Sequence, residues 1–164
     1  MNLFVLAGLF LFVYMCFAFV VSLIRKDNGT ADIAYGWGFV LLAWITYMHG
    51  MPGLPALIAS ILVTIWAARL SIRIYLRGRG KPEDFRYRKM REDWGTAVVW
   101  KSFVMIYMLQ GLIIYVCAVP VMLLNAYNGN VTFGVIALIG VLAWIKGFGY
   151  EAVGDAQLDR FMKD

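Results

Sequence analysis

One histidine, two cysteines and 15 % charged residues in a chain of 164 leave few classes of chemistry open. A metal centre built on imidazole or thiolate needs several such ligands at set spacings. His49, Cys16 and Cys117 are the whole supply, and no two are close in sequence. Both cysteines lie inside apolar runs and read as free, buried packing residues, with no disulfide implied. His49, at the end of such a run, reads as a solvated interfacial residue. No glycine-rich phosphate loop and no nucleophile elbow occurs. There is no internal repeat, no low-complexity stretch and no connector long enough for a second domain, so residues 1–164 read as a single membrane domain.

What the chain has instead is apolar length. Hydrophobic residues make up 62 % of it, with a mean hydropathy of +0.74, too apolar for a soluble domain of this size. The excess falls into runs of about 20 residues, the length that crosses about 30 Å of hydrocarbon. Leu3–Ile24, Ile33–His49, Pro55–Leu76, Ser102–Leu124 and Val131–Tyr150 read as five spanning helices, the second being the shortest. The first lacks the basic flank and small-residue cleavage site of a signal peptide, and it reads as a helix. The expectation is an all-α, polytopic membrane protein with about five transmembrane helices.

The net charge of +5 does not point to nucleic acid, because the cations are segregated. Arg25 and Lys26 follow the first run. Arg77, Arg79, Lys81, Arg86, Arg88, Lys89, Arg91 and Lys101 follow the third. The connectors around His49–Gly53 and Asn125–Asn130 carry no Lys or Arg. This alternation satisfies the positive-inside rule with the N-terminus out and the C-terminus in, as Arg160 and Lys163 also require, in an inner (cytoplasmic) membrane.

The connectors carry turn signals. Thr30 or Asp32 suits the cap of the second helix. The outer turns are HGMPG and, over Ala126–Asn130, AYNGN. Gly78 and Gly80 end the third helix, and Pro82 starts a new one with Glu83 and Asp84 in its first turn. Phe85, Tyr87, Met90 and Trp94 then recur among cations at near-helical spacing, as in an amphipathic helix lying on the cytoplasmic membrane surface.

Few polar groups enter the apolar runs. Arg69, Arg73 and Arg77 stand at i, i+4 and i+8, and consecutive members share a face. Arg69 lies two turns, about 12 Å, inside Arg77, where an arginine costs roughly 2.5–3.5 kcal/mol to insert. These cations either snorkel to the interface, bind an anion or carboxylate, or pair with another helix. The last run passes unbroken into Glu151 and Asp155, two carboxylates at i, i+4 and a matching depth. Asp32 and Tyr35 lie one turn apart at the start of the second helix. Mid-span Gln110 must find a partner across helices.

These residues, in this order, resemble a bacterial membrane family of unknown function within the steroid 5-alpha-reductase C-terminal-domain superfamily. The resemblance rests on Asp32-Ile-Ala-Tyr35-Gly36, Trp66-Ala-Ala-Arg69-Leu70, Arg77-Gly-Arg79-Gly, Glu83-Asp84-Phe-Arg86-Tyr87, Leu109-Gln110-Gly111 with Pro120, and Gly147-Phe-Gly149-Tyr-Glu151 followed by Gly154-Asp155-Ala-Gln157-Leu158. It implies a membrane reductase that takes hydride from NADPH and saturates an activated carbon–carbon double bond in a hydrophobic, lipid-like substrate. Glu151, Asp155 and Gln157, with Arg69, then line the cofactor pocket, and cations such as Arg77 suit its phosphates. Two departures stand out. Trp66 occupies the place of a catalytic tyrosine, and an indole is a poor acid. The family motif also continues into a Gly-Leu-Trp…Arg-His-Pro-Asn-Tyr segment that this sequence does not contain, so a second-half subunit, or a homo-oligomer, is an expected partner. The rival readings are a membrane methyltransferase of the isoprenylcysteine or phospholipid type, using S-adenosylmethionine, and a non-catalytic membrane subunit.

Overall fold

The computed structural model describes residues 2–127 and 132–161. Its elements are α1 (Leu3–Arg25), α2 (Thr30–His49), α3 (Leu54–Gly78), α4 (Phe85–Trp94), a 3-10 turn (Gly95–Ala97), α5 (Val98–Ser102), a π-helical segment (Phe103–Met108), α6 (Leu109–Tyr127) and α7 (Val135–Phe161). There is no strand among the described residues, as an all-α reading requires. The expected turn at Ala126–Asn130, the start of the last run at Val131, and Lys163 fall wholly or partly outside the described residues.

Four helices are long and apolar enough to cross a membrane: α1, α3, the continuous stretch Phe85–Tyr127, and α7. The helix expected over Ile33–His49 is present as α2, yet it is not one of those four. Its position explains why. α2 packs against α1, α3 and α6, so Gly36, Gly38 and Thr46 are buried in protein rather than set against lipid. A helix enclosed on three sides does not need a uniformly apolar surface.

Helical spacing decides which residues meet. α1 buries Ala7, Leu11, Met15, Ala18 and Ser22, and α6 buries Gly111, Ile114, Ala118, Met122 and Asn125. Both sets step by three or four residues, the period of one helix face. α3 contributes small residues, Ala56, Ser60, Ala67 and Ser71, which let backbones approach closely in a membrane. A Cβ placed on Gly36 would lie 2.8 Å from the Ala67 carbonyl oxygen and closer still to Ser71 Oγ. Near the C-terminal end of α6, fully buried Asn125 donates from Nδ2 to the Ala43 carbonyl at 2.9 Å and to Thr46 Oγ1 at 3.0 Å, and its backbone carbonyl accepts from Met51 N–H at 3.1 Å.

The connectors differ from expectation in detail. Neither Thr30 nor Asp32 caps α2. Gly29 holds the N-cap position without a side-chain bond, and the Thr30 hydroxyl donates back to the Asp27 carbonyl at 3.0 Å. α4 begins at Phe85 rather than Pro82, capped by Asp84, whose side chain accepts from Arg86 N–H. Lys101 lies within α5 rather than in a connector. The aromatic face expected on the membrane is also divided. Tyr87 is buried against the bundle and Trp94 packs on its core, while Phe85 and Met90 are exposed. Gly95, at φ +50°, ends α4 in a conformation that L side chains rarely adopt.

Candidate functional site

The C-terminal half of α3 presents Arg69 and Arg73 one turn apart, and α7 presents Glu151, Asp155 and Asp159 at the same pitch. The two ladders interlock. Arg69 Nη1 donates to Glu151 Oε1 at 2.7 Å, and its Nη2 pairs with Asp155. Arg73 Nη1 lies 2.7 Å from Asp155 Oδ2, and its Nη2 donates to Asp159 Oδ1 at 2.9 Å. Each guanidinium spans two successive carboxylates. The rungs advance in the same sense along both helices, so α3 and α7 run parallel. Of the three readings of the arginine ladder, the interhelical ion pair is the one found. The arginine side chains are about one-fifth exposed and Asp155 about one-quarter, so the pairs to Asp155 are screened less by salt than the outermost rung, where Asp159 is half exposed.

Above the ladder, α2, α3, α6 and α7 leave a cavity of about 460 Å³, within the range of small-molecule sites. Four aromatic rings stand in its walls. Trp66 meets Phe39 edge-on, with centroids 5.4 Å apart, and on α7 Trp144 stacks on Phe148 at 4.8 Å. The Arg69 guanidinium lies over Phe148, 5.2 Å from the ring centroid. Among the described residues, Glu151 is the one carboxylate in the lining. It accepts from Trp66 Nε1 at 2.9 Å through Oε2 as well as from Arg69 through Oε1. Trp66 therefore orients Glu151. No spacing rule links residues 66 and 151, and this contact was not legible in the sequence.

Cys117 also lines the cavity and is exposed, and Cys16 is only half-buried. This corrects the expectation of two buried thiols: the face of α6 that carries Cys117 looks into the cavity rather than into packed side chains. Both cysteines are free, as expected. His49 is exposed, with Nδ1 3.0 Å from the Ile45 carbonyl. No group of three or more His, Cys, Asp or Glu arranged to hold a metal ion occurs among the described residues.

Of the residues expected in a cofactor pocket, Arg69, Glu151 and Asp155 come together in one cluster, but largely by bonding to one another. Gln157 is exposed and stands outside the cluster. Arg77 is exposed at the end of α3, near the Asp84 carboxyl. The hydrogen bond from Arg86 holds that carboxyl below its usual range against the opposing effect of burial, and Arg77 adds to the lowering.

A second polar cluster pins α4 to the bundle. Asp32 Oδ1 accepts from the Tyr87 hydroxyl at 2.6 Å and from Gln110 Nε2 at 3.3 Å. Gln110 thus finds its partner across helices, and Asp32 serves a tertiary contact instead of a cap. Nearby, Glu83 accepts from Arg91 Nη2 at 2.9 Å and from Asn28 N–H at 2.8 Å. Burial raises the Glu83 carboxyl, but the Arg91 and Asn28 hydrogen bonds outweigh it and hold the group below its ordinary value.

No curated protein and no solved structure matches the chain. Residues 18–164 match the model of a family described as a protein of unknown function, DUF1295, and the chain belongs to that family.

Proposed function

We propose that this DUF1295 protein is a membrane enzyme that acts on a lipid-like molecule held between α2, α3, α6 and α7, and that it works as an NADPH-dependent reductase of an activated carbon–carbon double bond. The observation that carries the site is the aromatic-walled cavity ending on the Trp66–Glu151–Arg69 cluster. The reaction type is supported by the resemblance of the motifs around Arg69 and Glu151. The bound cofactor supplies the hydride. The chain's own residues fit such a group in part. A flat ring with a carboxamide suits an apolar slot whose polar end is a hydrogen-bond acceptor. The exposed cations Arg77, Arg79 and Lys81 suit its phosphates. Arg69, already paired with Glu151 and Asp155, positions the first carboxylate, and Asp155 positions Arg69. Phe39, Trp66, Trp144 and Phe148 exclude water from the substrate.

A second reading, methyl transfer from S-adenosylmethionine, is favoured by one feature: Glu151 faces the cavity as an acceptor, where it can take the proton of a hydroxyl or amine nucleophile. Thermal unfolding of the full chain in nanodiscs separates the two. NADPH at 100 times its Kd adds about 2.7 kcal/mol to stability and raises Tm accordingly. A rise with S-adenosylmethionine alone selects the second reading, and no rise with either overturns both. The Arg25–Lys26 and Arg77–Arg91 connectors lie in the cytoplasm under the same proposal. A thiol at Lys89→Cys should then react with an impermeant maleimide only after the inner membrane is permeabilised. Reaction in intact spheroplasts reverses the orientation.

A further inference from the structure

The polar end of the cavity is an acceptor without a free donor. An ionised carboxylate offers about four lone-pair sites. Glu151 uses one for Arg69 Nη1 and one for Trp66 Nε1, and its side chain is still 35 % exposed. The Trp66 indole has a single N–H, and that N–H is spent on Glu151. Arg69 directs Nη1 to Glu151 and Nη2 to Asp155; its guanidinium keeps further N–H bonds, but Arg69 is not among the residues that line the cavity. The remaining lining is apolar except for the Cys117 thiol, a weak donor. Among the described lining residues, a molecule entering this cavity therefore meets unused carboxylate lone pairs and no strong donor.

From this we infer that the cavity selects an apolar molecule whose polar end donates a hydrogen bond, a hydroxyl or an amine, seated against Glu151. The inference rests on the reading of this cavity as the ligand site, and it directs the carbonyl that activates a double bond away from Glu151, so that the end of the molecule seated at Glu151 is a separate donor group. A carboxylate head is repelled by Glu151. An acceptor-only carbonyl head loses its water and gains no partner, which leaves its oxygen unsatisfied. A hydrogen bond to a charged group contributes about 1.5–3 kcal/mol, so the donor head should bind about 10- to 100-fold more tightly. The specificity thus comes from what the site rejects as much as from what it holds.

The test uses one rigid apolar skeleton, brominated as a fluorescence quencher, ending in a hydroxyl, an amine, a methyl ketone or a carboxylate. Each probe is titrated against the full chain in nanodiscs and corrected for its partition into protein-free nanodiscs. Quenching reports binding because Trp66 and Trp144 line the cavity. The expected result is that the hydroxyl and amine probes bind at least tenfold more tightly than the ketone and carboxylate. Glu151→Gln, whose amide both donates and accepts, should narrow the gap between hydroxyl and ketone. Val63→Trp, which fills the cavity, should abolish binding of all four. Equal affinities for all heads, each lost in Val63→Trp, overturn the headgroup inference and leave the cavity reading standing. Binding that persists undiminished in Val63→Trp, or quenching by none of the probes, overturns the cavity reading and the inference with it. The wild-type series decides the headgroup question even if Glu151→Gln loosens α7.

Discussion

α2 and α7 are both long helices of one bundle, and they are held in opposite ways. α2 is enclosed by α1, α3 and α6, and eight of its residues are buried. α7 has no buried residue at all. It meets the bundle mainly along α3, through guanidinium–carboxylate pairs and one indole hydrogen bond. Packing fixes α2, and charge fixes α7. In lipid there is little hydrophobic drive between helices, so association depends on close packing or on polar contacts. This molecule uses the first for its centre and the second for the wall of its cavity.

The sharpest way to break that contrast is Arg69→Glu. It sets a third carboxylate against Glu151 and Asp155 and should weaken α7 docking by about 2–3 kcal/mol, less than for a fully buried pair because the carboxylates are partly exposed. Hydrogen exchange should rise across Val135–Phe161 and stay unchanged in α1, and the double swap Arg69→Glu with Glu151→Arg should recover part of the protection. Unchanged exchange in α7 would mean that the ladder does not hold it. Gly36→Val attacks the other side. Its side chain meets the Ala67 carbonyl and Ser71, and overpacking of this kind costs about 1–3 kcal/mol. Thermal unfolding should fall, with the α2–α3 contact the first to lose protection; a wild-type Tm would show that the helices part freely.

Smaller effects refine the comparison at the connector. Tyr87→Phe removes the hydrogen bond to Asp32 and should cost about 1.5–3 kcal/mol, since the acceptor is charged. The loss should appear as faster exchange in α4 alone. The smallest effect is one of pH. Glu83 is held below its ordinary value in the folded protein, so its contribution is complete above the unfolded carboxyl pKa and is lost as pH falls through the lower, folded one. Proteolysis in the Arg77–Lys101 connector should therefore be constant from pH 7 to about 5 and rise below about 4. Glu83→Gln should abolish that rise. A rise of equal size in the variant assigns the acid sensitivity to another group.

Much of this was legible in the chain. Long apolar runs located the helices because hydropathy over 20 residues is a bulk property that neighbours do not alter. The i, i+4 spacing of Arg69 with Arg73 and of Glu151 with Asp155 placed each set on one face, and their matching depth allowed the pairing that is found. Asp159 extends the acidic ladder by the same step. Other contacts had no local signal. Asp32 reads as a cap from its position, and only the fold brings Tyr87 and Gln110 to it. Trp66 stands out in the sequence only at the place of a catalytic tyrosine, and only the fold brings its N–H to Glu151. The π-helical segment at Phe103–Met108 has no compositional mark, and the exposure of Cys117 depends on a cavity that four separate helices create.

The interlocked ladders also set a rule of length. Rungs on α3 and α7 repeat every four residues, slightly more than one helical turn. One residue inserted between Glu151 and Asp155 would rotate every later rung by about 100° and carry Asp155 and Asp159 off the shared face. An insertion of a whole turn would keep the face but set Glu151 and Asp155 about 12 Å apart, too far for one guanidinium to span. The spacing between these charges is therefore a unit of measure along α7, and the clasp tolerates no change of length between them.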